Sequence, residues 1–225
     1  MPKSTCTLPD RGTLLFIGDS ITDCGRSPSG EETPSDPTTS LGRGYVGMVN
    51  ALLAATYPDR PWRVLNRGVG GNTVRDLSDR WKADVLELQP QLLVVMIGIN
   101  DVWRQFDYPQ RPKPVSLDEY RSTLTRLLEE ARASGVAQTL VLAPYLAEPW
   151  REDPMRLKMQ AYAAASCDAA EATGAAWVAT QPAIDALLAH RHPTLVARDR
   201  VHLGAPGHAV LARLVLDALG YAWHP

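Results

Sequence analysis

A chain of 225 residues with 45% hydrophobic and 21% charged side chains can bury a sizeable core, and one domain over residues 1–225 is expected. A net charge of −2 leaves no cationic surface for a phosphate backbone or an anionic bilayer, so nucleic acid and membrane are not expected as partners. Cys6, Cys24 and Cys167 stand at unrelated spacings that make neither a disulfide framework nor a C-x-x-C metal or redox pair, which points to a reducing compartment. The opening residues lack the apolar centre of a signal peptide, and no apolar run reaches the ~18 residues that span a bilayer. A cytoplasmic location is therefore expected.

Residues 13–18 form the first apolar run without polar alternation, the pattern of a parallel strand covered on both faces. The run ends in Gly18-Asp19-Ser20. This sets the Ser20 hydroxyl at the strand's carboxyl end, where a turn into a helix exposes it and aims backbone N–H groups at an anion. Taken alone, a serine there is more often a cap or turn residue. Residues 23–41, rich in Gly, Pro, Ser and Thr, form a long loop that either borders a site or is a surface insertion. Gly42-Arg43-Gly44-Tyr45-Val46-Gly47 satisfies G-x-G-x-x-G and opens a helix. No strand directly precedes it, so a dinucleotide site is not expected.

The second strand, residues 62–66, runs into Asn66-Arg67-Gly68-Val69-Gly70-Gly71-Asn72-Thr73. Its glycines let a backbone N–H approach a ligand closely; the plainer reading is a turn with Thr73 as helix N-cap. The helix after Thr73 stops before Pro90. The third strand, residues 92–98, leads into Asn100, a side-chain amide donor at the same sheet edge, although a lone Asn there is more often a cap. A second irregular stretch, residues 108–114, holds three prolines and borders either a site or nothing more than solvent. Ser116-Leu117-Asp118-Glu119 reads as a capping box opening a helix with Leu124, Leu127, Leu128 and Ala131 on one stripe, ended by Gly135. The fourth strand is residues 138–143. Asp153-Pro154 then supplies N-cap and first residue of a helix that Gly174 closes, just before the fifth strand at residues 175–179. Asp199-Arg200-Val201-His202 precedes the last helix, residues 205–219. Three apart on a helical turn, this carboxylate can hold the imidazole in one tautomer while the other ring nitrogen faces a hydroxyl.

Strand and helix alternate throughout, which predicts an α/β domain with a parallel sheet and chemistry at the carboxyl ends of its strands. Each polar signal is weak alone, but three of them directly follow successive strands. Ser20, Gly71, Asn100 and His202 together resemble the four blocks of the SGNH, or GDSL, hydrolase superfamily across essentially the whole chain. Three longer runs are similar to intracellular bacterial acetylxylan esterases. They are Gly18-Asp19-Ser20-Ile21-Thr22-Asp23-Cys24-Gly25-Arg26, Gly71-Asn72-Thr73-Val74-Arg75-Asp76-Leu77 and Gly98-Ile99-Asn100-Asp101-Val102-Trp103-Arg104-Gln105-Phe106.

The resemblance implies a three-layer α/β/α sandwich with a five-stranded parallel sheet, flavodoxin-like. It implies Ser20 as nucleophile, His202 as general base and then acid, and Asp199 as the group orienting the imidazole. The backbone N–H groups of Ser20 and Gly71 with the Asn100 side-chain amide would form an oxyanion hole. The implied activity is removal of acetyl groups from short xylo-oligosaccharides, with no cofactor, in a chain whose relatives often form homo-oligomers. One departure stands out: many members follow the histidine with proline, whereas this chain has Leu203, with the next proline at Pro206. The Gly-x-Ser-x-Gly elbow of α/β-hydrolases is absent.

The five histidines, His190, His192, His202, His208 and His224, fit no zinc spacing and have no carboxylate cluster, so no metal is expected, and His208 reads as a helix-packing residue. Trp103, Trp150 and Tyr145 fall in loops after the third and fourth strands. Trp103 first, then Tyr145, are the candidates for stacking on a sugar, with packing the competing role. The rival activities are a broad short-chain carboxylesterase or thioesterase, a non-catalytic sugar-binding module and a dinucleotide-dependent oxidoreductase.

Overall fold

The computed structural model describes residues 6–36, 39–107 and 113–223. His224 and residues 108–112 of the second irregular stretch lie outside them, as do residues 37 and 38 of the first. Five parallel strands, β1 (Gly12–Gly18), β2 (Trp62–Gly68), β3 (Leu92–Met96), β4 (Gln138–Leu142) and β5 (Ala176–Val178), form one sheet in the order β2-β1-β3-β4-β5. This is the expected five-stranded parallel sheet. Its third strand ends two residues earlier than the apolar run, because Gly98, at φ 127°, turns the chain into a helix.

Apolar content follows position. Leu14, Leu15, Phe16 and Ile17 of the interior β1 are wholly buried, as are Leu92 to Val95 of the central β3. Burial of one such side chain stabilises the fold by about 1.5–3 kcal/mol.

Helices cover both faces. On one face α2 (Tyr45–Thr56) packs against α9 (Ala205–Ala218), with α7 (Gln181–Leu188) beside α9. On the other, α5 (Leu117–Ala133) packs against α6 (Pro154–Thr173), flanked by α3 (Val74–Trp81) and α4 (Ile99–Asp107). Short helices α1 (Ser20–Asp23) and α8 (Pro193–Val196) complete the set among the described residues. None of these helices is long and apolar enough to cross a membrane.

The local signals act at these boundaries. Asp153 accepts the Arg156 N–H at 2.9 Å as N-cap of α6, Pro154 follows, and Gly174 ends the helix at φ 76°. The box at Ser116 is only half made: Ser116 accepts the Glu119 N–H at 3.2 Å, but the Glu119 carboxylate turns away to pair with Arg75. After α3 the chain widens into a π-helical turn, Lys82–Leu86, that the sequence pattern did not distinguish from helix.

The described part of the loop over residues 23–41 lies along β2, an outer strand of the sheet. Glu31 bridges Leu65 and pairs with Arg63 at 2.6 Å, and the Asn66 amide donates to Thr22 O and Leu41 O. The loop thus covers a strand edge that would otherwise present unpaired backbone groups.

Candidate active site

In this strand order the chain leaves β1 to one side and returns to β3 on the other, so the carboxyl ends of β1 and β3 frame a crevice. Ser20 emerges from β1 as the first residue of α1. Asp19 caps that helix, its Oδ1 accepting the Ile21 N–H at 2.9 Å, and Cys24 ends it at φ 40° with its N–H on Ser20 O. Two close approaches hold the turn. A Cβ on Gly18 would sit 2.1 Å from Met96 O, and one on Gly68 would sit 2.1 Å from Asp23 N, so only glycine lets β2 and β3 come this near. Burial pushes the Asp19 carboxyl up to about 7, against the pull of the Ile21 N–H and of the His202 charge.

Ser20 Oγ meets His202 Nε2 at 2.8 Å, and His202 Nδ1 meets Asp199 Oδ2 at 2.6 Å. Burial raises the Asp199 carboxyl, but bonds from the His202 ring and from the His202 and Val201 N–H groups outweigh it and hold the acid below its usual range. The expected helical turn is not what brings the pair together. Residues 199–202 form a bend closed by a bridge between Ala197 and Leu203, with Arg200 at φ 69°. Asp199 Oδ1 caps the bend by accepting the N–H groups of Val201 and His202, at 3.0 and 2.8 Å. A carboxylate that satisfies two backbone donors favours such a bend over helix. Leu203 joins the bridge and its side chain packs toward Gly207, so the position where many relatives carry proline here serves the bend.

Tyr145 was expected at a sugar face; the structure buries it completely, and its hydroxyl donates to Val201 O at 2.8 Å. No ring face is left for a ligand. It secures the His202 bend from beneath, together with Ala147 N–H on Arg200 O and the Arg200 guanidinium on Glu148 and Asp153. Trp103 belongs to α4 rather than to a loop. Its ring stands edge-on to the His202 ring, centroids 5.7 Å apart, with Arg104 stacked 4.5 Å from its centre. Trp150 is exposed.

The glycine loop after β2 lies against the nucleophile turn: Val69 donates to Gly18 O, and a Cβ on Gly70 would reach 3.8 Å from Ser20 Cβ. Gly71 stands at φ 80° with nothing within 4 Å of its missing Cβ. Asn100, buried in the first turn of α4, donates Nδ2 to Asn72 O at 3.0 Å. That bond uses one of the two amide protons. Beside it Asp101 accepts the Val74 N–H at 3.0 Å, fixing the start of α3 from across the crevice; burial raises its carboxyl to about 7 despite that bond. Asp19 and Asp101 carried no sequence signal beyond adjacency to Ser20 and Asn100. The whole arrangement can hand a hydroxyl proton to an imidazole backed by a carboxylate, next to open backbone and amide donors.

His208 packs in the protein as expected, its Nδ1 accepting the Tyr45 N–H at 3.3 Å and its Nε2 3.4 Å from Cys24 Sγ. Among the described residues no three His, Cys, Asp or Glu side chains are grouped to hold a metal ion.

The pattern of the GDSL-like lipase/acylhydrolase family matches residues 16–210. The chain is 45% identical to an acetylxylan esterase of Geobacillus stearothermophilus, covering 93% of this chain and 94% of that one. The solved structure of Axe2, an acetylxylan esterase from Geobacillus stearothermophilus, superposes with a TM-score of 0.89 at 43% identity over 98% of each chain. An α/β hydrolase from the metagenome of Lake Arreo, Spain, superposes with a TM-score of 0.87 at 43% identity, over 93% of this chain and 95% of that one. Structures of Axe2 include catalytic mutants in which a serine, an aspartate or a histidine is replaced by alanine, the aspartate three positions before the histidine.

Proposed function

The chain belongs to the GDSL-like lipase/acylhydrolase family and is a carboxylic ester hydrolase, and from that premise we propose that it deacetylates acetylated xylo-oligosaccharides through an acetyl-Ser20 intermediate. The observation that carries this reading is the unbroken hydrogen-bond line from Ser20 Oγ through the His202 ring to Asp199, at 2.8 and 2.6 Å. The catalytic serine, aspartate and histidine of Axe2, with the same Asp-to-His spacing, support it.

As Ser20 Oγ attacks the acetyl carbonyl carbon, its proton passes to His202 Nε2, while Asp199 accepts from Nδ1–H, fixing the tautomer and stabilising the imidazolium. The tetrahedral oxyanion faces the N–H groups of Ser20 and Gly71 and the spare Asn100 amide proton. Collapse breaks the bond to the sugar oxygen, which leaves with the proton from His202. Water, losing a proton to the same nitrogen, then attacks acetyl-Ser20; acetate departs and Ser20 Oγ regains its proton. The edge-on contact of Trp103 with the His202 ring supports Trp103 as the aromatic that meets the departing sugar.

The test compares acetylated xylo-oligosaccharides with 4-nitrophenyl esters of increasing acyl length, in the wild type and in Ser20→Ala. Acetyl esters are expected to turn over fastest, and Ser20→Ala to lose roughly 10⁶-fold in kcat. Faster turnover of longer chains would assign a broad esterase instead, and full activity in Ser20→Ala would overturn the mechanism.

Three wider features belong to the same proposal. One sheet with one continuous core supports a single domain over residues 1–225. Cysteines that form no disulfide among the described residues fit a cytoplasmic setting. An apolar hollow lined by half-buried Met48 and Leu52 and rimmed by the exposed Trp223 supports a homo-oligomer.

A further inference from the structure

Nine residues past Gly71, on the seventh position of α3, one guanidinium gathers three separate segments at the head of the sheet. Arg80 Nη2 donates to Gly18 O at 2.8 Å, at the end of β1. Its Nη1 donates to Arg67 O at 2.7 Å, at the end of β2, and its Nε to the Asn72 side-chain oxygen at 2.7 Å, in the glycine loop. Asp84, one helical turn on and inside the π-helical turn, takes the remaining Nη1 proton at 2.7 Å. The side chain is only 18% exposed, so these are shielded, charge-assisted bonds in fixed directions.

The partners matter more than their number. Gly18 O belongs to the residue two before Ser20 and also accepts the Val69 N–H of the glycine loop. Asn72 is held three times, by Arg80 through its side chain, by Asn100 through its backbone oxygen and by Val69 O through its N–H at 3.3 Å, which closes a turn. Gly71, immediately before it, is the third residue of that turn, with a left-handed backbone at φ 80° and no neighbour within 4 Å of a Cβ. The turn sets the course of the Gly71 backbone, and where its N–H lies relative to Ser20 depends on what anchors the turn's two ends. The clamp on Asn72 anchors one end and the strand ends anchor the other.

We infer that Arg80 is a positioning residue for the oxyanion hole, aligning the Gly71 N–H and the Asn100 amide with Ser20 by bridging the glycine loop to the ends of β1 and β2. This rests on the assignment of Ser20, Gly71 and Asn100 made above. Lysine would not replace it, because a single ammonium does not reach three oxygens in the fixed fork of a guanidinium.

The experiment measures kcat and KM on 4-nitrophenyl acetate for Arg80→Ala, Arg80→Lys, Asn72→Ala and Asn100→Ala, and for Arg80→Ala combined with Asn100→Ala. Arg80→Ala is expected to lose about 100-fold in kcat, the effect of misplacing reacting groups by an ångström. KM should stay within about two-fold, since the contact acts on the transition state. Added guanidinium ion should restore part of the Arg80→Ala activity and none of the Asn100→Ala activity. In the Asn100→Ala background the Arg80 change should cost less than about 3-fold more, because both act on one hole.

A loss that multiplies in full in that background would overturn the inference, as would a fall in melting temperature with unchanged kcat. Should Arg80→Ala fail to fold, Asn72→Ala cuts only the loop end of the clamp. It is expected to lower kcat with KM and melting temperature unchanged, and full kcat in that variant would also overturn the inference. Ser20→Ala runs alongside. Activity there would refute the nucleophile assignment, whereas an inactive Ser20→Ala with an unaffected Arg80 series would refute only the role of Arg80.

Discussion

At Asn100 one buried amide holds the glycine loop with one proton, and on the proposed assignment its other proton is the one offered to the oxyanion. If Asn100 has that role, replacing it by alanine removes a donor whose worth appears only when negative charge develops on the carbonyl oxygen. Asn100→Ala is therefore expected to lower kcat by about 10²–10³-fold, with KM little changed, in steady-state assays on an acetyl ester. A change confined to KM would mean that the amide binds the ground state. Tyr145 teaches the reverse lesson. An aromatic residue after a strand has the composition of a sugar platform, and burial turned it into a prop for the His202 bend.

Among elements, the decisive event is how closely β2 approaches α1. Gly68 and Gly18 are flat places that let Asp23 N and Met96 O come within 2.1 Å of where a side chain would begin. The obstacle at Gly68 is backbone, which does not swing aside. Gly68→Ala is expected to cost about 1–3 kcal/mol by overpacking and to depress kcat as well, because the displaced helix carries Ser20. Gly135→Ala is the control. That site has φ 98° and open space around it, so alanine there costs about 1–2 kcal/mol of backbone preference and leaves kcat intact. Equal kcat losses in the two variants, read by activity and by urea unfolding, would deny the approach its role.

Across the whole molecule, buried titratable groups collect at the carboxyl end of the sheet and pull stability in opposite directions with pH. Asp19 and Asp101 are each raised by burial from 3.8 to about 7. The unfolded chain releases these protons first, so stability present below pH 3.8 is lost as pH rises through about 7. His208 is lowered by burial, and by the His202 charge, from 6.5 to about 4. Its contribution is present above pH 6.5 and is lost as pH falls through about 4. Asp19→Asn keeps the oxygen that caps α1 and removes the acid. Its melting temperature is expected to exceed that of the wild type by more at pH 8 than at pH 5. An equal difference at both values would mean that Asp19 is ionised throughout.

The sequence by itself determined what is local. Five apolar runs became five strands, Asp153-Pro154 and Gly174 became the ends of α6, and the residues after β1, β2 and β3 reached the sheet's carboxyl edge. Backbone preference and burial act over a few neighbouring residues, so pattern suffices. Only the tertiary structure decided how Asp199 meets His202, by a bend rather than a helix, and that the described part of the loop over residues 23–41 covers the edge of β2. It alone showed Arg80 gathering the loop and strand ends. The reason is distance along the chain: Ser20 and His202 are 182 residues apart and Arg80 and Gly18 are 62 apart. A hydrogen bond between such residues depends on how the layers pack, and no local spacing encodes that.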